Sequence, residues 1–225
     1  LQRRHQKILE ESPSCIMNDS LRKKLYDSSI KACKSVNYLG AGTIEYLVDD
    51  DFNYYFMEMN TRIQVEHPVT EMVLGIDLIK YQIMCHSNHR LPDWMNSLKP
   101  RGHAIECRIN AEDPGKNFMP SPGVIDSFHM PGGMNVRVDT HVYTGYKVPS
   151  NYDSMIAKLI VHALTRDDAI DKMIAALDEF VIEGINTIIP YHKQILNNQN
   201  FKNGDFDTSF IEHFEYIKEG NNENS

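Results

Sequence analysis

The chain has 225 residues, a net charge of −8 at pH 7 and 41% hydrophobic residues. That length holds one large domain or two small ones, and the apolar share is enough for a core. The acidic balance excludes a general nucleic-acid binder, no run of eighteen apolar residues suggests a membrane-crossing helix, and no charged-then-apolar leader opens the chain.

Residues 1–11 (LQRRHQKILEE) read as a charged strand. Extended, it puts Arg3, His5 and Lys7 on one face, in reach of an anion, or serves as an edge strand kept soluble by its cations. Pro13 breaks the chain. Asn18 or Asp19 then caps a helix from Ser20 to about Asn37, with Leu21, Leu25, Ile30, Cys33 and Val36 as its apolar stripe. Gly40-Ala41-Gly42 leads into a strand rather than a helix, so it is not a nucleotide fingerprint.

Thr43–Val48 and Tyr54–Glu58 read as two strands joined by a turn rich in Asp and Asn. A four-residue loop at 50–53 pairs 49 with 54, 48 with 55 and 45 with 58. Glu45 and Glu58 then face each other, and like charges directly across a strand pair are destabilising. A divalent cation between them turns that repulsion into a site, and the amide oxygen of Asn60 extends the set of hard oxygen ligands. From 58 onward polar residues alternate: Glu58, Asn60, Arg62, Gln64 and Glu66 share one extended face. A solvated strand face alternates in the same way, and a one-residue register slip removes the argument.

A second helix is expected from about Thr70 to His86, with Val73, Leu74, Leu78, Ile79 and Ile83 inward; Pro68 suits its start. Residues 90–100 read as a linker. From Arg101 short strands dominate, at 102–109, 123–129, 134–139, 141–143 and 155–162, as in a compact antiparallel sheet or barrel. The strand at 102–109 carries Glu106, Arg108 and, just beyond it, Asn110 on one face, which suits an anion holder buttressed by a carboxylate, or a structural ion pair. Helices follow near 167–181, 187–197 and 208–217. Cys15, Cys33, Cys85 and Cys107 form no Cys-x-x-Cys pair. They read as small buried hydrophobes in a reducing, cytoplasmic setting.

The run EMNTRIQVEHPVTE at 58–71 resembles the signature of the biotin carboxylases, members of the ATP-grasp superfamily. The likeness continues in QRRHQK at 2–7, GAGTIE at 40–45, RGHAIECRINAEDP at 101–114, PSPG at 120–123 and YDSMIAK at 152–158. It implies an α+β fold. The C-terminal part of an ATP-grasp domain spans 1–97 and a biotin carboxylase C-terminal domain, an antiparallel sheet or barrel with helices, spans 101–217. A disordered tail takes 218–225. By the resemblance, Glu45 and Glu58 hold two Mg²⁺ or Mn²⁺ ions on the ATP phosphates, with Asn60 as their amide companion. Lys7, Arg62, Gln64, Val65 and Glu66 form the bicarbonate site, with Glu66 as the base. Gln2 and His5 lie near the nucleotide, and Arg108 steadies biotin.

The activity so implied is ATP-dependent carboxylation of biotin on a biotin carboxyl carrier protein, through carboxyphosphate. It is the first half-reaction of acetyl-CoA carboxylase in fatty acid biosynthesis, with carboxyltransferase subunits and a homodimeric enzyme as partners. The family's first α/β domain and glycine-rich phosphate loop are not among these residues, and the chain begins at Leu1 rather than Met. The expectation is therefore a piece of a longer enzyme, inactive alone. Three rival readings stand beside it. Another ATP-grasp ligase shares the metal carboxylates but not the Arg62, Gln64, Glu66 and Arg108 combination. A non-catalytic dimerisation or scaffold fragment is the second, with Arg137 and Asp153 suiting a dimer interface or simple packing alike. A cation module on Asp49–Asp51 lacks EF-hand spacing and reads better as a solvated turn.

Overall fold

The computed structural model describes residues 1–218, so the tail expected to be disordered lies, after Lys218, outside the described residues. Pro13–Arg101 forms one unit; Leu1–Ser12 and the chain from Gly102 onward form another.

The chain opens with β1 (Gln2–Arg3) and β2 (Gln6–Lys7), paired antiparallel. Between them Arg4 and His5 hold φ of 48° and 64°. The expected continuous strand with Arg3, His5 and Lys7 on one face is thus corrected to a hairpin. A two-residue loop with both central residues at positive φ matches the twist of its strands. Arg-His carries none of the Asn-Gly chemistry that announces such a turn. Strand β3 (Leu9–Ser12) follows.

In the Pro13–Arg101 unit, α1 (Asp19–Ser35) starts where Asn18 accepts the Leu21 amide at 2.8 Å. Of its expected stripe only Leu21 is fully buried, while Ile30 and Val36 are exposed. Ile30 lies nine residues from Leu21, about half a revolution round the helix, and Val36 lies past the helix end. Strands β4 (Thr43–Val48) and β5 (Tyr54–Asn60) form the expected hairpin.

The single helix expected over 70–86 is two: α2 (His67–Leu74) and α3 (Leu78–His86). Gly75 ends α2 in the left-handed conformation at φ 67°, and Asp77 caps α3 through the Lys80 amide at 2.8 Å. Glu71, buried on α2, bridges the break by accepting the Leu78 amide at 2.7 Å. The break changes the helical phase, so Ile79 and Ile83, expected inward, are exposed. The linker holds one 3₁₀ turn, Asp93–Ser97.

In the other unit, β6 (His103–Asn110) is followed by the short strands β7 (Glu112–Asp113), β8 (Met119–Pro120), β9 (Gly123–Val124) and β10 (Ser127–His129). Then come β11 (Val136–Thr140), β12 (Lys147–Val148) and β13 (Met155–Ala163). Helix α4 (Arg166–Glu179), β14 (Val181–Glu183), α5 (Ile189–Asn197), α6 (Gln199–Asn203) and α7 (Phe210–His213) complete it. The main sheet has the order β11-β13-β6-β3, all antiparallel. It is open, not a closed barrel. Ile105, Cys107, Ile109, Leu159 and Val161 of this sheet pack with Ala169, Ile170, Met173 and Leu177 of α4 in one core. The strand expected at 141–143 is a turn in which Thr140 Oγ1 accepts the Val142 amide at 3.1 Å. The helix expected over 208–217 shortens to α7. Of the four cysteines only Cys107 is fully buried; Cys15 is exposed.

Candidate active site

Asp49 organises the β4–β5 turn. Its carboxylate accepts the amides of Asp51 at 3.1 Å and Asn53 at 2.8 Å, the Asn53 side chain at 3.0 Å and the Tyr55 hydroxyl at 3.1 Å. These bonds, the Asn53 side chain first, hold its carboxyl below the usual carboxylate range. The loop comes out one residue off the expected register: Val48 pairs with Tyr54, Leu47 with Tyr55 and Tyr46 with Phe56. A register irregularity between Glu45 and Tyr46 then undoes the slip. Met57 is left over as a bulge, and Glu45 pairs with Glu58, Ile44 with Met59 and Thr43 with Asn60. The opposition of the two carboxylates is as expected, reached by a route the alternation does not show.

Around that pair the side chains form a connected set. Asn60 Nδ2 donates to Glu58 Oε1 at 2.7 Å and to Glu45 Oε1 at 3.3 Å. Gln64 Nε2 donates to Glu45 Oε1 at 3.0 Å, and Arg62 Nη1 donates to Gln64 Oε1 at 3.0 Å. Five of the expected site residues, Glu45, Glu58, Asn60, Arg62 and Gln64, are therefore linked hand to hand in one unit. Gln64 is buried, whereas Glu58 and Arg62 are exposed. Val65 and Glu66 complete the loop, and Glu66 occupies the N-cap position of α2 without making a side-chain capping bond.

Two further residues shape this loop. His67 Nδ1 lies 2.7 Å from the Gln64 carbonyl, and a carbonyl there requires the imidazole to donate. His67 Nε2 lies 4.0 Å from the buried Glu71 carboxylate. Both residues lie within the 58–71 motif, where the resemblance assigns neither a role. Their spacing of four on one helix is the signal that pairs them.

The remaining expected residues lie in the other unit. Gln2 pairs with Lys7 across the first hairpin, and His5 sits at its turn. Gln2 and His5 line a cleft of about 650 Å³ that Phe118, Tyr191 and Thr208 also face. The Arg3 guanidinium caps the Phe118 ring at 3.7 Å, and burial pushes the Tyr191 hydroxyl up to about 12. On β6, Arg108 was expected to lean on Glu106. The carboxylate it meets is Glu10, on the residue before β3's midpoint: Arg108 Nε donates to Glu10 Oε1 at 2.7 Å. Glu10 is 98 positions away in sequence, and strand pairing alone brings it there. Asp153 accepts the Met155 amide at 2.8 Å, while Arg137 and Asp139 form a two-pronged ion pair with Nε–Oδ1 at 2.7 Å and Nη2–Oδ2 at 2.8 Å.

Residues 106–213 match the family model described as biotin carboxylase C-terminal domain, and residues 1–94 match that described as carbamoyl-phosphate synthase L chain, ATP binding domain. Biotin carboxylase 1 of Bacillus subtilis is 55% identical over 218 residues, covering 96% of this chain and 48% of that protein. The biotin carboxylase of Campylobacter jejuni, solved as a complex with β-γ-ATP, superposes with a TM-score of 0.92 at 48% identity, over 95% of this chain and 48% of that one. The biotin carboxylase domain dimer of Hydrogenobacter thermophilus 2-oxoglutarate carboxylase, solved with MgADP, ADP and bicarbonate, gives 0.93 at 43% identity, over 97% and 49%. The chain spans about half the length of the curated relatives it matches. With family models matched over residues 1–94 and 106–213 and high identity along nearly its whole length, the chain belongs to the biotin carboxylase family.

Proposed function

We propose that these residues serve ATP-dependent carboxylation of biotin by bicarbonate. The observation that carries the reading is the linked set of Glu45, Glu58 and Asn60 on the β4–β5 hairpin with Arg62 and Gln64 from the loop that follows it, and Glu66 just beyond. Two opposed carboxylates and a side-chain amide, without thiol or imidazole among them, fit a hard divalent cation that also takes phosphate oxygens. Glu45, Glu58 and Asn60 would hold Mg²⁺ or Mn²⁺, whose contribution is to neutralise charge on the ATP phosphates. Asn60 would then present its amide oxygen in place of the NH₂ it now offers the carboxylates.

Arg62 holds the bicarbonate anion, helped by Gln64 and the Val65 backbone, with Lys7 as a further cation. Glu66 takes the bicarbonate proton. The freed oxygen attacks the γ-phosphorus, the bond to the β-phosphate oxygen breaks, and ADP leaves; carboxyphosphate remains. Its breakdown gives carbon dioxide and phosphate, and the phosphate takes the proton of the biotin ureido nitrogen. Arg108, oriented by Glu10, faces the negative charge that develops on the ureido oxygen. Gln2 and His5 contact the nucleotide.

We further propose that the biotin arrives on a carrier protein, that carboxyltransferase subunits use the product, and that the enzyme is a homodimer; the dimer reading is supported by the relative solved as a dimer. Acetyl-CoA carboxylase in the cytoplasm, feeding fatty acid biosynthesis, is the proposed setting. Calorimetric titration of Mg·ATP, and of Mg·ADP with bicarbonate, tests the site. Binding lost in Glu58→Gln supports it. Equal binding by the variant would sink it. From the 225 residues alone we expect no bicarbonate-dependent ATP turnover.

A further inference from the structure

The edge of β6 changes partner at Arg108. In an antiparallel ladder the N–H and C=O of one residue point to the same neighbour. The Arg108 amide donates to the Ile8 carbonyl at 3.0 Å, so the Arg108 carbonyl faces that side too. A continued ladder would meet it with the Ile8 amide. That amide donates instead to the Leu1 carbonyl at 3.0 Å, because the chain folds back through the β1–β2 hairpin. The Arg108 carbonyl is met by His192 Nε2 at 2.8 Å. Two residues on, the Asn110 carbonyl receives the Ile188 amide at 3.1 Å. Ile188 and His192 are one helical turn apart, at the start of α5. Thus β3 holds the edge of β6 up to Cys107, and α5 takes it over from Arg108, with an imidazole standing in for a strand amide.

The environment of His192 fixes its form. It is 0% exposed. A carbonyl partner requires Nε2 to carry the proton, and Nδ1 has no hydrogen-bond partner among the described residues. A protonated Nδ1 there would be a buried donor with no acceptor.

We propose that His192 is a positioning residue for Arg108: a neutral, Nε2-protonated imidazole that anchors the Arg108 backbone while Glu10 directs its guanidinium. This rests on the reading of Arg108 as the biotin-facing arginine. Together the two partners fix the residue at both ends, main chain and side chain, where β3 can no longer do so. Burial agrees with the neutral form, depressing the His192 pKa to about 4.

Two measurements test it. In ¹⁵N-histidine spectra of the chain at pH 6, His192 is expected as the neutral Nε2–H tautomer; an Nδ1–H or doubly protonated ring overturns the proposal. In the full-length enzyme carrying these residues, His192→Leu is expected to lower kcat/KM for free biotin about tenfold, with ATP cleavage in bicarbonate alone within about twofold of the parent. His192→Gln, whose amide nitrogen reaches the Nε2 position, is expected to stay within about twofold in both. Equal losses in the Leu and Gln variants, no loss in either, or a parallel fall in ATP cleavage would overturn it. Arg108→Met is the control. If that change leaves biotin use intact, the functional reading of Arg108 fails, and the tautomer measurement still decides the anchoring.

Discussion

Arg166→Met is expected to cost about 4 kcal/mol of stability in the unit built on the four-stranded sheet. Arg166 Nε and Nη2 donate to Glu11 at 2.8 and 3.3 Å, and Nη1 and Nη2 donate to the carbonyls of Lys202 and Phe201 at 2.8 and 2.9 Å. The guanidinium also lies 4.8 Å from the Phe201 ring centre. Met keeps part of the apolar stem and loses every donor. Glu11, its side chain only 10% exposed, would keep the His103 bond at 2.8 Å and lose its arginine. Breaking a buried ion pair from one side costs about 3–5 kcal/mol, because the other charge stays buried. Removing both charges with Glu11→Gln and Arg166→Met together is expected to cost about 2 kcal/mol, less than the single change. The assay is hydrogen exchange of the Ile105 and Leu159 amides, both in the core of that unit. A single-variant cost below about 1 kcal/mol, or a double variant as costly as the sum of the singles, would refute the reasoning. A pH signature accompanies it. Burial alone would raise the Glu11 pKa, but hydrogen bonds from His103 and Arg166 outweigh it and hold the carboxyl below its ordinary value. Its stabilisation is therefore present above the unfolded-state value of about 4.3 and is lost as pH falls through the lower folded value. Arg166→Met flattens that acid limb.

Two more predictions concern single residues. Gly75→Ala is expected to destabilise the Pro13–Arg101 unit by about 1 kcal/mol. A Cβ there meets nothing within 4 Å, so only the φ of 67° resists it. The fluorescence of Trp94, the one tryptophan, reports melting of that unit, and an unchanged Tm would contradict the strain argument. For His192 the folded pKa of about 4 lies below the unfolded value of about 6.5. The unfolded chain therefore takes up the proton first, so stability is full above about pH 6.5 and falls on acidification toward 4. The loss is on the order of 2 kcal/mol at pH 5. Exchange of the sheet amides at pH 7 and pH 5 should show that slope in the parent and lose it in His192→Gln.

What the sequence by itself determined is local. The Asn18 cap of α1 and the alternation that puts Glu58 and Asn60 on β5 are written in residues within a few positions of one another, whereas the extended face expected to run on through Arg62, Gln64 and Glu66 stops at Asn60, where the chain leaves the strand and turns into α2. The hairpin that opposes Glu45 to Glu58 is local too, because turn residues and side-chain periodicity act at short range. Even there the register was a near miss, rescued by the Met57 bulge. The motif at 58–71 made the family legible, since charged and amide residues at fixed alternating positions within one fourteen-residue run leave few other readings. Tertiary structure decided the rest. The left-handed turn at Arg4 and His5 has no local chemistry to announce it and exists because β3 must join β6 while the chain ahead of it folds back. Arg108 finds Glu10 rather than Glu106, and His192 from α5, only once the strands are paired. Propensity and periodicity act between near neighbours. Which carboxylate orients an arginine, and which imidazole completes a ladder, depends on chain segments 98 and 84 residues away, and only folding brings those together.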